Sequence, residues 1–264
     1  MAIEARWAEG RMERVPSLAA ELVALNPDVI LTAANPVIAE VRKATRSIPI
    51  VMATGADPVG WGFVTSLARP GGNLTGLTGF YESTPIKMLE LASALVPRGA
   101  HVAAILETNT IFSRERYRNQ LTDNAQTLGL QMRIFDVSKR EDVDRIFAVL
   151  AKDRPAALIV LPGPMIFALG RDLVNGAGSL SIPVIFPFEE MTEAGGLMSY
   201  AADLLDNYRR AARFVDRILR GANAGDLAIE QPTRLRLAIN MRAAKAQGIR
   251  IPQSILQRAD RVME

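Results

Sequence analysis

Along the chain, short apolar runs alternate with stretches in which apolar residues recur every three or four positions. The first pattern is that of a strand buried on both faces, the second that of an amphipathic helix. Residues 3–7, 29–32 and 48–53 read as strands, with helices over 11–25 and 36–45. Pro36 suits a first helical turn and Asn35 is the cap candidate. A strand over 74–79 closes this first series. The alternation predicts parallel βαβ units.

A second series starts near Pro85. Helices are expected over 112–128 and 141–151, and strands over 101–106, 130–137, 156–161 and 182–186. Gly129 and Pro155 are placed to stop helices. After a short strand over 197–200, Leu204, Tyr208, Ala211, Val215 and Ile218 define one face of a long helix. An extended stretch over 227–240 and a short helix stopped by Gly248 complete the chain. Two series of similar size predict two α/β lobes. The first takes residues 1–80 plus about 201–264, the second residues 81–200, with more than one strand crossing between them.

Composition narrows the chemistry. The chain has 264 residues, 49% of them hydrophobic, and a formal charge of +3. No basic block stands out. Arg209, Arg210, Arg213, Arg217 and Arg220 fall at helical spacing and read as a solvated face, so no nucleic-acid partner is expected. Absence of cysteine removes disulfides, thiol catalysis and cysteine metal sites. The single histidine, His101, starts a strand, which argues against His-based triads and the common zinc sites. No run of about 18 apolar residues suggests a membrane helix. No signal peptide is read at residues 1–10.

Known motifs fail in turn. There is no P-loop, and Gly60-Trp61-Gly62 is only half of a dinucleotide fingerprint. Glu189, Glu190 and Glu193 read as a charge cluster at a helix start. What remains is a set of strand-to-helix turns rich in small and hydroxyl residues: Thr32-Ala33-Ala34-Asn35, Glu107-Thr108-Asn109-Thr110, Leu161-Pro162-Gly163-Pro164 and Phe186-Pro187-Phe188. Open α/β sheets bind ligands outside the carboxyl ends of their strands, where helix starts present free N–H groups. The Gly/Pro/Asn-dense segment 57–80 belongs to the same class, beside a lobe crossing.

Four long segments carry a resemblance along nearly the whole chain: DPVGWGFVTSLARPGGNLTG, KMLELASALVP, GGLMSYAADLLDNYRRAARFVDRILRGANAGDLAIEQPTRLRLAIN and AKAQGIRIPQSILQRAD. They resemble the ABC transporter substrate-binding protein family that includes tryptophan/tyrosine-type binders. The resemblance implies the two-lobe fold of periplasmic binding protein type I, with Rossmann-like lobes and parallel sheets. It implies closure on a small organic solute, such as an aromatic amino acid or aromatic carboxylate, and delivery to ABC permease subunits. It implies no catalysis, no bound cofactor or metal, and a periplasmic or extracytoplasmic place. A cytosolic ligand sensor of the same fold is the alternative, and an α/β enzyme the third reading.

By the same resemblance, first-lobe contacts are expected at Thr32, Ala33, Asn35, Asp57, Thr75 and Gly76. Second-lobe contacts are expected at Asn109, Pro162, Phe186, Glu189 and Asp203. Helix-start N–H groups would take a carboxylate, and Asp57, Glu189 or Asp203 an amino group. Phe186, Phe188 or Tyr81 would stack on a ring. Met165 beside those rings would favour an aromatic solute. Members carry a signal peptide, a strand and a helix ahead of the part matching IEARWAEGR, where this chain begins. The first lobe is therefore expected to show a gap, or a swapped element, in its sheet.

Overall fold

The computed structural model describes residues 2–79, 83–231 and 235–264. In chain order the elements are α1 (Val15–Ala24), β1 (Ile30–Ala33), α2 (Asn35–Ala44), β2 (Ile50–Thr54), β3 (Leu74–Gly76), α3 (Thr84–Ser93), β4 (His101–Glu107), α4 (Glu115–Thr127), β5 (Gln131–Val137) and α5 (Arg140–Lys152). They continue as β6 (Ala157–Val160), α6 (Pro164–Ala168), α7 (Gly170–Leu180), β7 (Val184–Phe186), α8 (Glu189–Glu193), β8 (Met198–Ala202) and α9 (Leu204–Leu219). The chain closes with β9 (Leu235–Asn240), α10 (Met241–Ala246), α11 (Gln253–Leu256) and β10 (Arg261–Met263). Two compact units result: residues 1–82 with 202–234, and residues 83–201 with 235–264.

In the first unit, β2 lies between β1 and β3, all parallel. β2 is buried throughout, and its alternation feeds two cores. Ile50 and Met52 pack with Ile30, Ile38 and Val41, whereas Val51 and Ala53 pack with Ala211, Phe214 and Ile218. Helices therefore cover both faces, which is why the strand is continuously apolar. The face that α9 buries is Asn207, Ala211, Phe214 and Ile218. It is turned from the expected one, for Tyr208 is exposed. Arg209, Arg213, Arg217 and Arg220 are exposed as expected, while Arg210 pairs with Glu230.

Residues 3–7 do not form the expected strand. Ile3 and Trp7 are 79% and 75% exposed. Among the described residues no strand pairs with the outer edge of β1, where Leu31 is 45% exposed.

The second unit holds a seven-stranded sheet in the order β10-β9-β8-β7-β6-β4-β5. Every pairing with a recorded register in it is parallel. The tail differs from expectation. Residues 202–234 belong to the first unit, but Leu235–Glu264 belongs to the second, because β9 extends the sheet beyond β8 and β10 extends it again. Asn240 seals this placement: its N–H donates to Leu197 O and its Nδ2 to Thr192 O. The chain thus passes from one unit to the other three times, near residues 82, 201 and 234.

Candidate functional site

Parallel pairing puts the carboxyl ends of the strands on one edge of each sheet. In the first unit that edge carries the turns after β1 and β2. Ala34 adopts a positive φ of 66° between strand and helix, and α2 starts at Asn35. Sequence made Asn35 the cap candidate, but it is the first residue of α2 and does not cap the helix. Its buried side chain reaches the next turn instead. Oδ1 accepts from Ala56 N at 2.8 Å, and Nδ2 donates to Ala56 O at 2.5 Å. The amide thereby ties the two carboxyl-edge turns together. Asn35→Ala is expected to cost about 2 kcal/mol, since both Ala56 groups lose their partner. Urea unfolding checks this; a loss below about 0.5 kcal/mol would contradict it.

Asp57 opens the Gly/Pro-rich segment with φ 43°, a left-handed conformation that Asp tolerates. Its Oδ1 accepts from Gly60 N at 2.8 Å and its carbonyl from Trp61 N, closing a tight turn. Trp61 and Phe63 stack at 5.5 Å, and the Arg42 guanidinium lies over Phe63. This segment is a packed loop, pinned to α2 by its aromatic residues.

Thr32 is buried within β1, and Ala33 is its half-buried last residue. Thr75 and Gly76 are both buried. Thr75 is fully buried and its hydroxyl donates to Leu227 O at 2.7 Å, which fastens β3 to the segment after α9. Gly76, at φ 125°, permits the close approach of β3 to Met52. Asp203 lies in the first unit, not the second. It caps α9, with Oδ1 accepting from Asp206 N at 3.0 Å.

In the second unit, β4, β6 and β7 end side by side. Asn109 is exposed and left-handed (φ 63°) in the turn after β4. Pro162 is buried in the turn after β6. Between them lies a residue that the sequence reading quoted in its turn but gave no role. Glu107, the last residue of β4, is buried, and its Oε2 accepts from Met165 N at 2.8 Å and Ile166 N at 3.3 Å. The start of α6 is thus already filled by the protein's own carboxylate. Burial raises the Glu107 pKa to about 7, against the opposing pull of the two N–H donors. The signal that could have found it is an acidic residue closing the apolar run Val102–Leu106.

Phe186 lies in the core, 1% exposed, and so offers no stacking face. Phe188 is also buried, but the exposed ring of Phe167 meets it edge-on at 5.1 Å and 89°. Tyr81 lies outside the described residues. Glu189 accepts from Arg261 at 2.8 Å and lies 3.5 Å from Arg236, so its carboxylate is engaged within the unit. Glu193 also pairs with Arg261, so two of the three clustered carboxylates belong to a surface ion network. Among the described residues, no group of three His, Cys, Asp or Glu side chains is arranged to hold a metal ion.

The family model described as "ABC transporter substrate binding protein" matches residues 1–263. The chain belongs to this family. A tyrosine-binding protein of Clostridioides difficile (strain R20291) is 25% identical over 245 residues, covering 92% of this chain and 70% of its own length. Among solved structures, an ABC domain from Streptococcus pneumonia in complex with L-Trp superposes with a TM-score of 0.85 at 26% identity. That alignment covers 96% of this chain and 87% of the other. A conserved domain protein of Vibrio cholerae superposes with a TM-score of 0.88 at 25% identity, covering 97% and 86%. The fold is that of periplasmic binding protein type I, as the resemblance implied. The family's members are solute-binding proteins and as a rule extracytoplasmic. Among the described residues no helix is long and apolar enough to cross a membrane.

Proposed function

We propose that the protein is the solute-binding component of an ABC importer, and that its solute is an aromatic amino acid or a closely related aromatic carboxylate. The match over residues 1–263 carries the importer role. Relatives that bind tyrosine and L-Trp support the solute class. The carboxyl-edge loops of the first unit supply suitable groups: the start of α2 for a carboxylate and Asp57 for an ammonium group. Binding without catalysis fits, since no nucleophile, base and orienting group can be assembled from these turns. The protein acts outside the cytoplasmic membrane and hands its solute to a permease.

Isothermal titration of the purified protein against the twenty amino acids and a set of aromatic carboxylates tests this reading. Saturable binding of L-tryptophan, L-tyrosine or L-phenylalanine, with the ligand recovered unchanged, is expected. Absence of binding across the whole panel, or chemical conversion of the ligand, would overturn it.

A further inference from the structure

We propose that Phe167 is the residue that selects a ring-bearing solute, a role the sequence reading did not give it. The inference rests on the proposed function and deepens it. Phe167 is 50% exposed, an unusual state for a large aromatic side chain in a helix of five residues that is otherwise apolar. Three features hold it there. Three residues separate the end of β6 from the start of α6, so Phe167 is carried by the carboxyl edge of the second unit's sheet. Phe188, which follows β7 on the same edge, is buried beneath it and meets it edge-to-face at 5.1 Å. Glu107 grips Met165 and Ile166, the two residues just before it, through their backbone N–H groups.

The arrangement is a supported ring. Phe188 supplies the base, Glu107 sets the helix that carries Phe167, and half of Phe167 remains exposed. An aromatic solute packed on the exposed part of the ring would extend an existing edge-to-face pair into a cluster of three rings. Of the stacking candidates read from sequence, Phe186 and Phe188 are buried. Among the described residues of these two turns, Phe167 is the ring with area to offer.

The test compares wild type, Phe167→Leu and Phe167→Tyr by isothermal titration with whichever of L-tryptophan, L-tyrosine and L-phenylalanine the wild type binds. Leucine keeps the apolar bulk and removes the ring; tyrosine keeps the ring. Phe167→Leu is expected to weaken binding about tenfold, and Phe167→Tyr less than about threefold. Both variants should melt within a few degrees of wild type, because the side chain is exposed. Wild-type affinity in Phe167→Leu overturns the proposal, and so does an equal loss in both variants, which would mean that the ring itself is not what binds. If the wild type binds no aromatic amino acid, the proposed function fails and this proposal fails with it. If it does bind one and Phe167→Leu is silent, only this proposal fails.

Discussion

Gly76→Ala is expected to unfold the first unit or leave it barely stable. The residue sits at φ 125°, which an L side chain rarely adopts. A Cβ there would run into the Met52 carbonyl oxygen and lie 2.7 Å from Met52 N. Both obstacles are backbone of β2, the strand that feeds both cores, so neither can swing away. Backbone strain costs about 1–3 kcal/mol, and the forced displacement of β3 a similar amount. The sum, about 4 kcal/mol, is a large fraction of the 5–15 kcal/mol of a typical domain. Trp7 and Trp61, the chain's two tryptophans, both belong to this unit, so fluorescence during urea unfolding reports on it. Gly178→Ala, in the second unit and followed by circular dichroism, is the control: a Cβ there meets nothing within 4 Å, and a helical site should gain slightly from alanine. A Gly76→Ala transition within about 1 kcal/mol of wild type would refute the close-approach account.

The second large effect lies at Glu107 and depends on pH. Its carboxyl titrates near 7 when folded, against an ordinary value of 4.5. The folded state therefore holds this proton more tightly than the unfolded chain. The stabilisation is fully present below about pH 4.5 and is lost as pH rises through about 7. The shift corresponds to about 3 kcal/mol between those limits. Glu107→Gln keeps an oxygen for Met165 and Ile166 and cannot ionise. The difference in unfolding free energy, variant minus wild type, is expected to climb in favour of the variant from pH 5 to pH 8. Parallel profiles would show that Glu107 titrates normally. Glu107→Ala should be worse than wild type at every pH, because two N–H groups at the start of α6 lose their acceptor.

Much of the architecture was legible because buried parallel strands and amphipathic helices leave strong local patterns. β4 was expected over 101–106 and spans His101–Glu107; α5 was expected over 141–151 and spans Arg140–Lys152. Residues 164–180 were not read as helix. Gly170, Gly176 and Gly178 depress helix propensity there. One of these glycines has a tertiary reason: a Cβ at Gly176 would press into the ring of Phe147 on α5, 2.5 Å from its nearest atoms. Close packing of α7 on α5 requires what local propensity disfavours.

The candidate site was less legible. Asn35 and Asp57 were singled out correctly as turn residues, yet what their side chains bond to depends on which turns the sheet sets side by side. Thr75 and Phe186 were expected as contacts from the family resemblance, yet both are buried. The Thr75 hydroxyl is taken up by Leu227 O, 152 residues on, and Phe186 packs against Gly196 in the turn before β8.

Residue order and chemical type alone established the α/β class, the parallel strands, the absence of cysteine chemistry and the family resemblance, since each is written in local periodicity, composition or long matching segments. Folding in three dimensions settled the rest. It sent residues 235–264 to the second unit's sheet, aimed Glu107 at the start of α6, buried Phe188 and left Phe167 facing solvent. Those outcomes depend on which strand edge is free to pair and which ring reaches the interior first. Both are contacts between residues distant in sequence, and no local pattern encodes them.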